Sequence, residues 1–309
     1  MLVKNIYNIA EAWKVTGKKF LIVFIYTFTA SYIDDYYNVH FADLSKLTLG
    51  MIATGVTIFL GFRINSAYNR WWEARQIWGA MVNNCRNFGS TVGDFTEATM
   101  KEHTRDIVFN LIGFINATRL HLRRQTETEW QNELWNYQTN GRNLFSPEEI
   151  ATIKNKTNKP TQILHLISHK LDSLSSHSTA PNAAFFKVYL NQLLLPLYDC
   201  LGKSERIKNT PFPWGYAFYT VRFVWIFTLL LPLTFNTDAS LANILGCTLA
   251  SMLFITAEQV AHNLDNPFEN SFNDTPLTAI CRTIEIDLLE QLNEKQIPKA
   301  IEPKDGVLP

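Results

Sequence analysis

The chain has 309 residues, 47% of them hydrophobic, and its 28 Lys and Arg residues balance 28 Asp and Glu. Without a basic excess the charge gives no reason to expect nucleic acid as a partner. The four cysteines, Cys85, Cys200, Cys247 and Cys281, lack CxxC spacing and point to neither a disulfide framework nor a zinc site.

The distribution of residues is uneven. Apolar residues crowd into 20–33, 47–62 and 214–264, while 97–177 is rich in charge, Asn, Gln and Thr. The chain opens on a short amphipathic segment, Asn5 to Trp13, followed by Lys14, Lys18 and Lys19 and then FLIVFIYTFTASYI. That run ends in Asp34 and Asp35 with no small-residue cleavage site, so it is expected to stay in the mature protein. Extended through its tyrosines to Tyr36, it is long enough to span a bilayer. A polar hairpin, DDYYNVHFADLSK, leads into KLTLGMIATGVTIFLGFRINSAYNRWWEARQIWG at 46–79, which passes from apolar to Arg, Asn and Trp without a helix breaker. On a helix at about 100° per residue, Met51, Thr54, Ile58, Phe62, Asn65 and Asn69 fall within about 80° of one another. One face is therefore apolar in its middle and polar below, the pattern expected of a pore-lining helix. Arg63 and Arg70 point the opposite way, toward neighbouring helices, lipid head groups or solvent. The helix is expected to run through Cys85 to about Gly89, beyond any bilayer.

Residues 94–136 read as helix, with Ile107, Leu111, Phe114, Ile115 and Leu122 making one buried stripe. After a break around Gly141 to Pro147, Ser146 is placed to cap a helix that starts at Pro147 with Glu148 and Glu149 in its first turn. A second break at 154–160 precedes helices over 160–177 and 182–202, and no segment shows sustained strand alternation. Pro211 and Pro213 then start a second apolar pair. Trp214, Tyr216 and Tyr219 mark an interface, and after the turn NTDAS comes LANILGCTLASMLFITAEQVAHNLDNPF. Its small residues Gly246, Ala250 and Ser251 would let helices approach closely. The tail from Asn293, with Pro298, Pro303 and Pro309, reads as an extended arm or as disordered.

These elements predict an all-α integral membrane protein with four transmembrane helices and a cytoplasmic helical region. The divisions are 1–89 (first helix pair), 90–210 (polar region), 211–264 (second pair) and 265–309 (C-terminal helix and tail). Lys46 is the one basic residue in the hairpin turns 34–46 and 236–240, whereas Lys14, Lys18, Lys19, Arg63, Arg70, Arg75, Lys203, Arg206 and Lys208 flank the opposite ends. The positive-inside rule then places both termini and the polar block in the cytoplasm.

Three blocks carry a resemblance: GFRINSAYNRWWEARQIWGAMVNNCR, ERIKNTPFPWGYAFYTVRF and ITAEQVAHNLDNPFENSFNDTPLTAICRTIEIDLLEQL. In order and spacing they resemble the prokaryotic branch of the bestrophin family across nearly the whole chain. The resemblance implies a homopentameric channel in the inner (plasma) membrane, with one axial pore and a narrow apolar neck built from the second membrane helix. The family's three neck positions fall on Thr54, Ile58 and Phe62, with Asn65 and Asn69 as polar lining below. At Thr54 the chain departs from the bulky apolar residue common in the family. The resemblance also implies a second, cytoplasmic constriction, for which Leu171 or Leu174 are the candidates. Eukaryotic members carry an acidic run after NPF that contributes to a calcium clasp. Here Glu269 and Asp274 alone are acidic in that stretch, thin provision for an ion that takes six to eight oxygens. No calcium clasp and no other cofactor is expected.

Remaining motifs read as structural. His165 and His169 have the spacing of a metal pair, but Leu166 replaces the Glu of HExxH and no third ligand is visible. Glu258 and His262, one turn apart, suit a subunit contact. No nucleophile, base or cofactor motif suggests an enzyme, and the two apolar hairpins share no evident repeat, which favours a channel over a secondary transporter. The expected partners are further copies of the chain, membrane lipids and small monovalent ions. Apolar rings do not fix the sign of the permeant charge: chloride is the family default, and sodium is the alternative.

Overall fold

The computed structural model describes residues 1, 9–37, 46–94, 101–177, 183–233 and 240–309. Its helices, in chain order, are α1 (Ile9–Tyr37), α2 (Lys46–Asp94), α3 (Lys101–Leu122), α4 (Glu127–Trp130), α5 (Pro147–Lys154), α6 (Lys159–His177), α7 (Ala183–Gln192), α8 (Leu195–Asn209), α9 (Trp214–Leu230), α10 (Leu241–Leu264) and α11 (Leu277–Gln291). A hairpin of two two-residue strands, β1 (Gln138–Thr139) and β2 (Arg142–Asn143), lies between α4 and α5. The chain forms two compact units. One holds Trp72–Thr210 and Pro267–Pro309 with Met1, and the other holds the residues up to Trp71 together with Pro211–Asn266. The division between the two units falls inside α2, after Trp71. From Ala74 onward the helix commits Ile77, Trp78, Met81, Cys85 and Phe88 to the core of the first unit.

That first unit is built around α3. The predicted stripe is buried, but so are Val108, Phe109, Ile112 and Ala117 between its members, so from Ile107 onward α3 is buried on most of its surface. The helix expected over 94–136 is interrupted after Leu122. Arg124 adopts the left-handed conformation, at φ 51°, and Thr126 restarts the chain as α4 with a capping box closed by Glu129. Residues 95–100 of that expected helix lie outside the described residues. At the hairpin tip Asn140 and Gly141 both have positive φ, 52° and 71°, the conformation that an Asn-Gly pair adopts most readily in a two-residue turn. Ser146 caps α5 with a second capping box through Glu149, and Pro147 sits in its first turn. Ser146→Ala removes one capping acceptor and is expected to lower stability by about 1 kcal/mol, read as an earlier midpoint in thermal unfolding.

The helix expected over 182–202 is broken at Leu193 and Leu194, because Pro196 cannot donate its share of the helical ladder. Beyond α11 the tail is extended and tied down. Arg105 pairs with Glu294 at 2.5 Å, Ala279 donates to the Pro309 carbonyl at 3.0 Å, and Leu308 donates to the Met1 carbonyl at 2.8 Å. Tyr137 donates to both carboxylate oxygens of buried Glu285, at 2.9 and 3.1 Å. Burial, and after it the Glu285 charge, push the phenol up to about 12.

Among the described residues, three helices are long and apolar enough to cross a membrane: α2 (Leu47–Gly93), α9 with its short continuation (Trp214–Leu233) and α10 (Leu241–Leu264). The helix α1, continuous over 29 residues, is not one of these three. Its Val23 joins Val56, Leu60, Val224, Phe227 and Ile255 in one apolar cluster. The Tyr26 hydroxyl donates to the Leu229 carbonyl at 2.7 Å. Buried Ser251 and partly buried Ala250 lie inside the second unit, whereas a Cβ at Gly246 would meet nothing within 4 Å, so Gly246 makes no close helix contact among the described residues. Pro213 precedes α9, and Ser240 caps α10 by accepting from the Asn243 amide. The turn between them, 234–239, lies outside the described residues, as does the hairpin 38–45.

Candidate functional site

The face of α2 that the spacing picks out is the face its own chain leaves uncovered. Met51 is 65% exposed, Ile58 53% and Phe62 64%, and Thr54, Asn65 and Asn69 are exposed with them. The other side carries Val56, Leu60, Arg63 and Ala67, all buried within the unit. An apolar stripe of this kind, on a helix whose opposite side is packed, needs another surface to face. Thr54 spends its hydroxyl proton on the Gly50 carbonyl one turn back, at 2.8 Å, so the donor is used within the helix. Just off the stripe, the Phe59 ring meets Phe223 edge-on at 5.6 Å and Tyr216 at 6.4 Å, which ties the helix to α9.

Behind the stripe lies a cluster that sequence reasoning left unassembled. Arg63 is 1% exposed. Its Nη1 donates to Glu258 Oε1 at 2.9 Å and its Nη2 to Asp265 Oδ2 at 3.2 Å. Arg70 donates through Nε to the Asp265 carbonyl oxygen at 2.7 Å. Of the destinations open to Arg63, the neighbouring helix α10 takes it. Glu258, expected at a subunit contact, is an ion-pair partner inside the chain, and Asp265 does more than end α10. The signal was available: Glu258 and Asp265 stand seven residues apart, on one side of a helix.

Leu171 and Leu174, the candidates for the cytoplasmic constriction, are buried within the chain. They are 1% and 4% exposed, packed in the same core as Ile163, Leu164 and Ile167 of α6. The outward side of α6 instead carries His165 and His169, whose rings lie 4.4 Å apart. Among the described residues no three His, Cys, Asp or Glu side chains are grouped to hold a metal ion. The two acids after NPF are engaged elsewhere: Glu269 pairs with Lys208 at 2.6 Å, and Asp274 accepts from the Ser271 amide at 3.1 Å and from its hydroxyl. The four cysteines are free and buried, and burial pushes the Cys281 thiol up to about 11, far from a reactive thiolate.

The chain matches the family model described as Bacterial/Fungal Bestrophin protein over residues 14–290. It is 32% identical to the voltage-dependent anion channel-forming protein YneE of Salmonella typhi over 256 residues, covering 82% of this chain and 80% of that protein. The YneE protein of Escherichia coli K12 is 28% identical over 291 residues, covering 93% and 90%. Among solved structures, a point mutant of a bacterial bestrophin homologue from Klebsiella pneumoniae superposes with a TM-score of 0.77 at 26% identity, over 88% of this chain and 97% of that one. A mutant structure described as a membrane protein reaches 0.81 at 25% identity, over 92% and 100%.

Proposed function

Because the chain belongs to the bacterial and fungal bestrophin family, we propose that it forms an anion channel in the inner membrane, as a pentamer whose α2 helices surround one axial pathway. The observation that carries this reading is the exposed stripe Met51, Thr54, Ile58, Phe62, Asn65 and Asn69, backed by a buried opposite face. Four spans, α1, α2, α9 and α10, cross the membrane, and both termini lie in the cytoplasm with the polar unit. Thr54, Ile58 and Phe62 form three rings over roughly 12 Å of helix and make the neck. Such an apolar constriction closes by dewetting and conducts when it widens. Below it, the amide groups of Asn65 and Asn69 offer donors to a partly dehydrated anion. The reading includes no cofactor and no calcium clasp, for which the two acids after NPF, Glu269 and Asp274, are thin provision.

The test is reversal potential. Purified protein in planar bilayers under a NaCl gradient is expected to reverse near the chloride equilibrium potential. Reversal near the sodium potential would replace the anion assignment with a cation one. Flux that saturates, without single-channel steps, would indicate a transporter.

A further inference from the structure

A fully desolvated arginine in an apolar helix unit is costly, and it persists only where its partners are placed for it. Arg63 has two, Glu258 at 2.9 Å and Asp265 at 3.2 Å, one on each outer nitrogen of its guanidinium. Their seven-residue separation, with Asp265 as the C-cap of α10, is two turns, about 10.5 Å along the axis. The planar fork that reaches both therefore senses where α2 stands along α10 as well as how it is turned. Arg70, two turns below Arg63, repeats the step by donating to the Asp265 carbonyl at 2.7 Å. The Ala217 carbonyl, 3.5 Å from Nη1, adds α9 to the same junction.

Arg63 directly follows Phe62, and the two side chains leave the helix about 100° apart. We propose that Arg63, clamped between Glu258 and Asp265, is the positioning residue for the Phe62 ring, fixing how far it projects from α2. This rests on the reading of Phe62 as a neck residue. The lever is large. Atoms about 6 Å from the helix axis move about 2 Å when the helix turns by about 20°. Repeated in every subunit around one axis, that displacement decides whether an apolar ring of side chains is wet or dry.

The test is a double-mutant cycle read in planar bilayers on protein that elutes as the native oligomer. Glu258→Gln keeps the shape and removes one charge of the clamp. It is expected to change open probability by at least about fivefold in the native background, and by less than about 1.5-fold when Phe62→Ala has already removed the ring. Asp265→Asn, which leaves Glu258 paired, runs the same cycle from the other end. Arg63→Lys keeps the charge but not the fork, and is expected to behave like Glu258→Gln. Equal effects in both backgrounds, or none in either, would overturn the positioning role, as would an Arg63→Lys channel with native gating. If Phe62→Ala alone leaves the current unchanged, the neck reading itself fails and the positioning role falls with it. If Phe62→Ala acts while the Glu258→Gln effect persists beside it, the neck stands and only the clamp's role is lost.

Discussion

Phe62→Ala raises single-channel conductance or open time in planar bilayers by on the order of tenfold, and Ile58→Ala does so less strongly. Truncating one phenyl removes on the order of 100 Å² of apolar surface from the pathway, worth about 2.5 kcal/mol toward keeping it dry. The rings of all subunits act on the same water column, so even about 1.4 kcal/mol of net relief supplies the tenfold. Phe62 at 64% and Ile58 at 53% exposed contribute little to the core of their own chain. Folding and assembly should therefore survive both substitutions, and the change in current reports on the pathway. Thr54→Ala is expected to do least, because the Thr54 hydroxyl is already bonded to the Gly50 carbonyl. Absence of current from the native protein and from both variants, under every condition, would count against the channel.

The stripe on α2 was legible in the sequence because helical period alone assigns a face, and here the chain packs one side and leaves the other bare. Capping was legible for the same local reason: Ser146, Pro147 and Glu149 announce the start of α5 whatever surrounds it. Two further local signals went unused. Thr126 with Glu129 marks a helix start inside what reads as one long helix, and Asn140-Gly141 marks a hairpin between strands too short to show alternation. What local pattern could not supply was partnership across the chain. Arg63 and Glu258 are 195 residues apart in sequence, and nothing near either one names the other. Leu171 and Leu174 show a related limit of local pattern. A leucine on an amphipathic helix looks the same whether it lines a pathway or fills a core, and the buried run Ile163, Leu164, Ile167, Leu171 and Leu174 shows that here it fills a core.

The same core yields a prediction in which two identical substitutions have opposite signs. Glycine inside a helix ordinarily costs about 1 kcal/mol relative to alanine, so Gly→Ala should stabilise wherever the methyl finds room. Gly202 in α8 has that room, since a Cβ there meets nothing within 4 Å. Gly202→Ala is expected to raise stability by about 0.5–1 kcal/mol and to leave conduction unchanged. Gly113, at the middle of α3, is the contrary case: the Phe145 ring lies across it, within 2.5 Å of where a Cβ would stand. That ring is 4% exposed and held edge-on by Trp135 at 5.7 Å. It cannot swing aside without opening the core around Trp130 and Trp135. Overpacking then outweighs helix propensity, and Gly113→Ala is expected to lose about 2–3 kcal/mol, measured as a fall in the unfolding midpoint of the purified protein. Pairing Gly113→Ala with Phe145→Leu should recover part of that loss, because the narrower side chain vacates the space the methyl needs. If Gly113→Ala alone proved neutral, the Phe145 ring would not be fixed against α3 as this packing makes it.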